Sequence, residues 1–189
     1  MKNPLRYATE WALMVTISAF LFVEFFKFNN WLFSAFEHAQ GINWIFLPAG
    51  FRVLLVLVLG LPGGLGIMAG TLWLDQSQLL DGQWSSTMVT AIASGMAPWL
   101  IKCWMESRGW LHKELKNINA QRLLNFVLVY AVVNAVSHQA IRWHFQHAGS
   151  QPWLDVWPMF VGDALGAMAI LYAMKLSLPW LRQYSRTRA

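Results

Sequence analysis

Residues 42–60, INWIFLPAGFRVLLVLVLG, have the apolar length of a membrane-spanning helix, yet a charged residue, Arg52, stands near their middle. A helix of this length, at about 1.5 Å per residue, covers most of the roughly 30 Å of hydrocarbon in a bilayer. A charged side chain at such depth costs about 2.5–3.5 kcal/mol on insertion scales, so it usually faces a bundle interior and has a partner. The stretch therefore predicts a membrane helix with a buried polar contact.

The composition of the 189-residue chain extends this interpretation to the whole protein. Hydrophobic residues make up 57% and charged residues 12%, which is too apolar for an ordinary soluble domain. The 12 Trp and 12 Phe residues suit helix ends that lie at lipid headgroups. The net charge of +5 is not accompanied by a nucleic-acid-binding motif. We therefore expect a lipid bilayer as partner and no nucleic acid.

The apolar runs predict an all-α membrane protein, a bundle of about six transmembrane helices in a single domain over residues 1–189. These helices are predicted near 9–28, 43–60, 63–75, 86–105, 121–143 and 155–177. Only the residues LPGG separate the second from the third, which predicts a tight helical hairpin that turns at Pro62 and its neighbouring glycines.

The basic residues predict the orientation of this bundle. Most of them fall before the first predicted helix, between the fourth and the fifth, or after the sixth. They are 11 of the 14, namely Lys2, Arg6, Lys102, Arg108, Lys113, Lys116, Arg122, Lys175, Arg182, Arg186 and Arg188. By the positive-inside rule these segments are cytoplasmic, so both termini are predicted to be cytoplasmic.

Arg52 has one obvious candidate partner, Asp163. Counted from the outer ends of their predicted helices, the two residues lie roughly 13 Å and roughly 12 Å deep, and these helices run in the same direction. Equal depth and opposite charge predict an intramembrane ion pair between them. Such a pair either takes part in function or only locks two helices together.

Further polar residues share the outer half of the predicted membrane. Asn134, His138 and Arg142 recur every four residues and so form one stripe on a helix. Glu24 lies about one turn from the outer end of the first helix. The candidate ligand pocket therefore comprises Glu24, Arg52, Asn134, His138, Arg142 and Asp163. Its two arginines favour a small anionic ligand, whereas His138 by itself is more typical of a hydrogen-bonded core histidine.

Small residues at four-residue spacing predict close helix contacts, at Gly66 and Gly70 and again at Gly162 and Gly166. Catalytic signatures are missing: the sequence has no paired-carboxylate motif, nucleophile elbow or metalloprotease motif. We predict no metal site, because His144 and His147 would need further ligands from distant loops. The sequence identifies no cofactor.

Two stretches resemble a known family. WIFLPAGFRVLLVLVLGLPGGLGIMAGTLW at 44–73 and FVGDALGAMAIL at 160–171 are similar to the MASE1-type membrane-associated sensor domains of bacteria. The matching residues are Trp44, Pro48, Gly50, Gly60, Gly63, Gly66, Gly70, Gly162, Asp163 and Gly166. The resemblance implies a sensory module of the bacterial inner membrane, a type normally joined to a histidine kinase or a cyclic-dinucleotide enzyme. No output domain follows here, so we expect the signal to pass to a separate membrane partner.

These observations lead to three functional hypotheses. The first is a non-enzymatic, multi-pass, sensor-like or accessory module that acts through another membrane protein or subunit. The second is the substrate-binding component of a small-molecule transporter. The third is a structural accessory subunit of a larger membrane complex, in which the polar residues only hold helices together.

Overall fold

The computed structural model describes residues 4–39, 42–112, 119–147, 149 and 151–186, with side chains up to Ser177. Within these ranges three helical segments are long and apolar enough to cross a bilayer: Pro4–Phe36, Ala120–His144 and Pro152–Ser177. They indicate a membrane protein, as the composition predicts.

The described chain is helical apart from one short hairpin. Helix α1 (Pro4–Phe33) continues into a 3₁₀ turn (Ser34–Phe36), and strand β1 (Glu37–Ala39) then pairs antiparallel with β2 (Ile42–Asn43). The helices that follow are α2 (Leu47–Leu59), α3 (Leu61–Leu74), α4 (Gln76–Leu80), α5 (Trp84–Ser107), α6 (Ala120–His144) and α7 (Pro152–Arg186). The predicted all-α class is confirmed, with this hairpin and the short α4 as additions.

The second and third predicted helices are shorter than expected. α2 has 13 residues and α3 has 14, about 20 Å each, which is less than the thickness of the hydrocarbon. The predicted start at residue 43 is wrong because β2 and an extended link precede Leu47. α2 and α3 form the predicted tight hairpin, and the chain reverses at Gly60, whose φ of 67° favours glycine. Pro62 lies in the first turn of α3, where no N–H is needed.

One seam of close contact joins α1 to α3. A Cβ at Gly66 would overlap the Ser18 side chain, and a Cβ at Gly70 would come within 2.9 Å of the Phe22 ring. The Ser18 hydroxyl also donates to the Gly63 carbonyl at 2.9 Å. From the first contact to the second, the residue numbers increase on both helices, so α1 and α3 run parallel.

A second seam joins α7 to the start of α2. A Cβ at Gly162 would overlap the carbonyl oxygen of Asn43, and a Cβ at Gly166 would overlap that of Phe46. The Phe46 N–H donates to the Gly162 carbonyl at 3.1 Å. Here too the contacts advance together, so α2 and α7 run parallel. The four glycines selected from the sequence thus lie at two close helix contacts, where an added Cβ would crowd a neighbouring side chain or carbonyl group.

The other long helices pack antiparallel to their neighbours in sequence. α5 meets α6 through Ser86 with His147 and through Ser94 with His138, so their directions are opposite. The six longer helices therefore alternate in direction. We call the end with the start of α1 and the Gly60 turn the inner end, and the end with the β-hairpin the outer end.

Asn29 holds the start of α2 in place. This residue of α1 is fully buried, and its side-chain oxygen accepts a hydrogen bond from the Leu47 N–H at 2.9 Å. The Trp44 N–H donates to the Phe36 carbonyl at 3.1 Å. Non-helical backbone inside a membrane protein needs such partners, because hydrocarbon offers none. The link before α2 is therefore compatible with burial beside α7.

Candidate functional site

Arg52 is buried in α2, with 4% of its surface exposed. Its Nη1 donates to the hydroxyl of Tyr130 at 3.3 Å. Its Cζ lies 5.0 Å from the ring centre of Phe22 and 5.4 Å from that of Phe46, distances at which a guanidinium interacts favourably with an aromatic face. The charge is thus surrounded by two aromatic rings and a phenol.

Asp163 is buried in α7 and uses a different partner. Its Oδ2 accepts a hydrogen bond from Nδ2 of Asn134 at 2.7 Å. Arg52 is close enough to act on Asp163 electrostatically. However, the two side chains do not reach ion-pair distance, and the ion pairs found among the described residues lie elsewhere. The predicted direct Arg52–Asp163 pair is therefore corrected to a longer-range interaction.

The stagger of α2 against α7 explains this correction. A Cβ at Gly50 would meet the Ile170 side chain at 2.6 Å, so this part of α2 lies beside a late part of α7. Arg52 consequently lies roughly 10 Å further from the outer end than Asp163, at about 1.5 Å per residue. The equal-depth argument assumed that α2 begins at residue 43. The side chain of Arg52 instead extends back towards Phe46, as helical side chains lean towards the N-terminus.

Helix α6 bridges this difference in depth. Tyr130 and Asn134 are both fully buried and lie one turn apart on the same face. Tyr130 meets Arg52, and Asn134 meets Asp163. The sequence interpretation missed Tyr130, although it stands four residues before Asn134 and so continues the predicted polar stripe by one turn.

His138, one turn further along the stripe, pairs with α5. Its Nε2 lies 3.2 Å from the hydroxyl of Ser94, which is fully buried and was not predicted. The ring also lies within electrostatic range of Arg52 and Arg142. Three hydrogen-bonded pairs therefore form one buried polar cluster, which consists of Arg52, Ser94, Tyr130, Asn134, His138 and Asp163.

Glu24 does not belong to this cluster, so its inclusion in the pocket is wrong. Its carboxylate is about half exposed and forms an ion pair with Lys27 at 3.0 Å. The buried face of α1 carries Phe22 and Asn29 instead. Depth in the membrane does not show whether a residue faces the bundle. That depends on the side of the helix on which the residue lies.

Arg142 is separated from the cluster and lines the surface of the outer end. It borders an open depression of about 330 Å³ together with His147 and Pro152. An adjoining depression of about 370 Å³ is lined by Ser86 and others and shares Gln146 and His147 with the first. We call this region the outer rim. Of the six predicted pocket residues, these two depressions include only Arg142.

Asp75 is a further acidic neighbour of Arg52 that was not assigned to the site. It ends α3, where its N–H donates to the Thr71 carbonyl at 3.0 Å. Burial raises the pKa of its carboxyl above the ordinary value, and the positive charge of Arg52 offsets part of this effect. Arg52 thus acts electrostatically on two carboxyl groups, those of Asp75 and Asp163.

No group of three or more His, Cys, Asp and Glu side chains within the described ranges is arranged to hold a metal ion. His144 and His147 border the same depression. His147 is paired with Ser86, with 3.1 Å between Nε2 and Oγ. The outer rim therefore offers hydrogen-bonding groups and positive charge.

No protein-family model matches the chain, and the comparisons with curated proteins and with solved structures give no match either. The resemblance to MASE1-type sensor domains thus rests on the quoted residues. The two stretches that carry it contact each other: Gly162 of the second packs against Asn43 and Trp44, and Gly166 packs against Phe46 and Leu47 at the start of the first.

Proposed function

We propose that the protein is a non-enzymatic, sensor-like module of the bacterial inner membrane. It binds a small anionic ligand from the outer side and acts through a separate membrane partner. The observation that supports this proposal is the stripe on α6, which connects the outer rim with the buried polar cluster.

The stripe offers a physical route for a signal. Arg142 lies at the outer rim, and His138 and Asn134 follow at intervals of one turn towards the inner end. An anion at Arg142 changes the field at His138, which lies within electrostatic range of that arginine. Asn134 holds Asp163, so a displacement of α6 is passed to α7. Energetic coupling of this kind requires contiguous contacts between elements, which the cluster supplies.

The proposed topology is six membrane crossings with both termini cytoplasmic. The alternating helix directions and the clustering of basic residues at the inner end support it. Lys2, Lys113, Lys116 and Arg188 lie outside the described residues, so their contribution rests on the sequence. The two shorter helices, α2 and α3, complete their crossing within the bundle and not through lipid.

Native mass spectrometry of the gently solubilised protein tests the proposal. We expect the wild type to retain an anionic molecule, a second membrane subunit or both. Arg142→Gln should reduce the retained anion, whereas Arg6→Gln, an exposed arginine at the inner end, should not. A bare chain recovered from native membranes in every preparation would contradict the proposal.

A structural accessory subunit is the second candidate, because the three hydrogen-bonded pairs of the cluster join α2, α5, α6 and α7 inside the protein. A double-mutant cycle on Asn134→Leu and Asp163→Leu measures this architectural role. We expect a coupling of about 0.6–1.7 kcal/mol, the range of hydrogen bonds between membrane helices. If the double variant keeps its fold and also its bound anion and partner, the cluster is architectural only.

A further inference from the structure

The two depressions of the outer rim adjoin at Gln146 and His147, beyond the end of α6. Among the described residues, their lining includes one arginine and two histidines and no Asp or Glu. Two acidic residues are close in sequence to the lining residues. Asp81 precedes the lining residue Gly82, whereas Asp155 is buried and engaged with His38 at 3.4 Å. The charge of the rim therefore suits an anion.

The backbone at this place is strained. Gln146 has a φ of 52°, and it is the only non-glycine residue of the described chain with a positive φ. Such a conformation costs roughly 1–3 kcal/mol, and strain of this kind clusters at functional sites. The reversal places the side chains of Gln146 and His147 in the lining of both depressions.

The reversal also occupies the carbonyl groups that end α6. The N–H groups of Phe145, Gln146 and His147 donate to the carbonyls of Ile141, Trp143 and Arg142 at 3.0–3.2 Å. Free carbonyls at a helix C-terminus would repel an anion. Because these are hydrogen-bonded, the basic side chains dominate the local field.

His147 has one ring nitrogen without a hydrogen-bond partner among the described residues. Its Nε2 is engaged with the Ser86 hydroxyl, while Nδ1 is enclosed and has no hydrogen-bond partner. A buried polar atom without a partner costs about 1–3 kcal/mol, so an arrangement that keeps one needs a reason. An oxyanion bound in the depression would accept a hydrogen bond from the Arg142 guanidinium, which lines it beside His147.

Exposed tryptophans surround this end of the bundle. Trp84, Trp143, Trp153 and Trp157 are 59–88% exposed. Tryptophan prefers the headgroup level of a bilayer, where lipid phosphates lie. The outer rim is therefore placed at the depth of phosphate groups.

From these observations we infer that the outer rim is a phosphate-binding site, with Arg142 and His147 as its main contacts. The inference rests on the proposed function and names the chemical class of its anionic ligand. The phosphate belongs either to a phospholipid headgroup or to a free phosphate compound. Arg142 supplies paired N–H donors, and the side-chain amide of Gln146, which lines both depressions, supplies a further donor.

The test uses the full chain in nanodiscs of zwitterionic lipid. One series titrates inorganic phosphate by calorimetry, with chloride at equal ionic strength as control. A second series replaces part of the lipid with phosphatidylglycerol and counts retained lipid by native mass spectrometry. The variants are Arg142→Gln, His147→Gln and the control Arg6→Gln, and the unfolding midpoint of each reports its folding.

We expect saturable binding in one of the two series, weakened about tenfold or more in Arg142→Gln and unchanged in Arg6→Gln. Binding of inorganic phosphate identifies a free ligand, and retention of phosphatidylglycerol alone identifies a lipid headgroup. If Arg142→Gln fails to fold, His147→Gln takes its place with the same expected loss. Binding equal to that of chloride, or unchanged in both rim variants, would overturn the inference. Recovery of another anion or of a partner subunit would leave the proposed function standing.

Discussion

The buried polar cluster and the outer rim share one helix, α6, and similar side chains, yet they treat polar groups differently. In the cluster each residue is hydrogen-bonded to another, as in Asn134 with Asp163, and the groups are closed off by Phe22 and Phe46. At the rim, Arg142 and His147 border open depressions. The difference separates polar residues that hold helices together from polar residues that border an open cavity. Four predictions test it.

The largest effect is expected at the seam that holds the cluster closed. Gly166→Leu would drive a side chain into the carbonyl of Phe46, so we expect loss of the folded protein. Ala169→Leu, on an exposed position of the same helix, is the matched control and should express normally. Size-exclusion profiles of the two variants in detergent make the measurement. A folded Gly166→Leu protein would show that the close approach of α2 and α7 is not required.

The two arginines provide the most direct comparison of the regions. Arg52→Gln deprives Tyr130 and two aromatic rings of their partner inside the bundle, and should lower the free energy of unfolding by about 1–3 kcal/mol. Arg142→Gln changes an open surface and should have a clearly smaller effect. Thermal unfolding in the same detergent compares them. Equal destabilisation would mean that the rim is as architectural as the cluster.

Asp75 tests the electrostatic field around Arg52 at the edge of the cluster. Because burial raises its pKa in the folded state, the folded protein holds the proton more tightly than the unfolded chain. The contribution of Asp75 to stability therefore falls as pH rises from its ordinary pKa through the raised value. Asp75→Asn should remove this dependence and slightly raise the unfolding midpoint at neutral pH. A lower midpoint at neutral pH would show that the Arg52 attraction outweighs the cost of burial.

The smallest effect is expected for Glu24, which the sequence placed in the pocket and the structure removes from it. Its exposed ion pair with Lys27 is worth about 0–1 kcal/mol. Glu24→Gln should leave both the unfolding midpoint and anion binding at the wild-type level. A loss of anion binding in this variant would restore Glu24 to the site.

Much of the architecture could be predicted because it depends on local properties of the chain. Apolar length located the long helices, and small residues at four-residue spacing located Gly66, Gly70, Gly162 and Gly166 at helix contacts. The stripe on α6 followed from helical periodicity. The sequence did not show which side of α1 faces the bundle, because nearly every face of that helix is apolar. Glu24 was therefore placed in the pocket wrongly.

The contacts of the site could be predicted only in part. Equal depth suggested a direct pair between Arg52 and Asp163, but depth was counted from an assumed helix start. Because the hairpin occupies residues 42–43 and the Leu47 N–H donates to Asn29, α2 begins at Leu47 and not at residue 43. Tyr130 and Ser94 were missed because neither residue is unusual in an apolar helix until its partner is known.

The sequence by itself determined that the chain belongs in a membrane, where its long helices lie and which glycines allow them to approach closely. These features follow from hydrophobicity, charge and helical periodicity, which depend on residues that are close together in the sequence. The tertiary structure alone decided that Arg52 meets Tyr130 and that Asp163 meets Asn134. The reason is the stagger of α2 against α7: the Gly162 and Gly166 contacts set it, and a shift of one turn, about 5.4 Å, exchanges one hydrogen-bond partner for another.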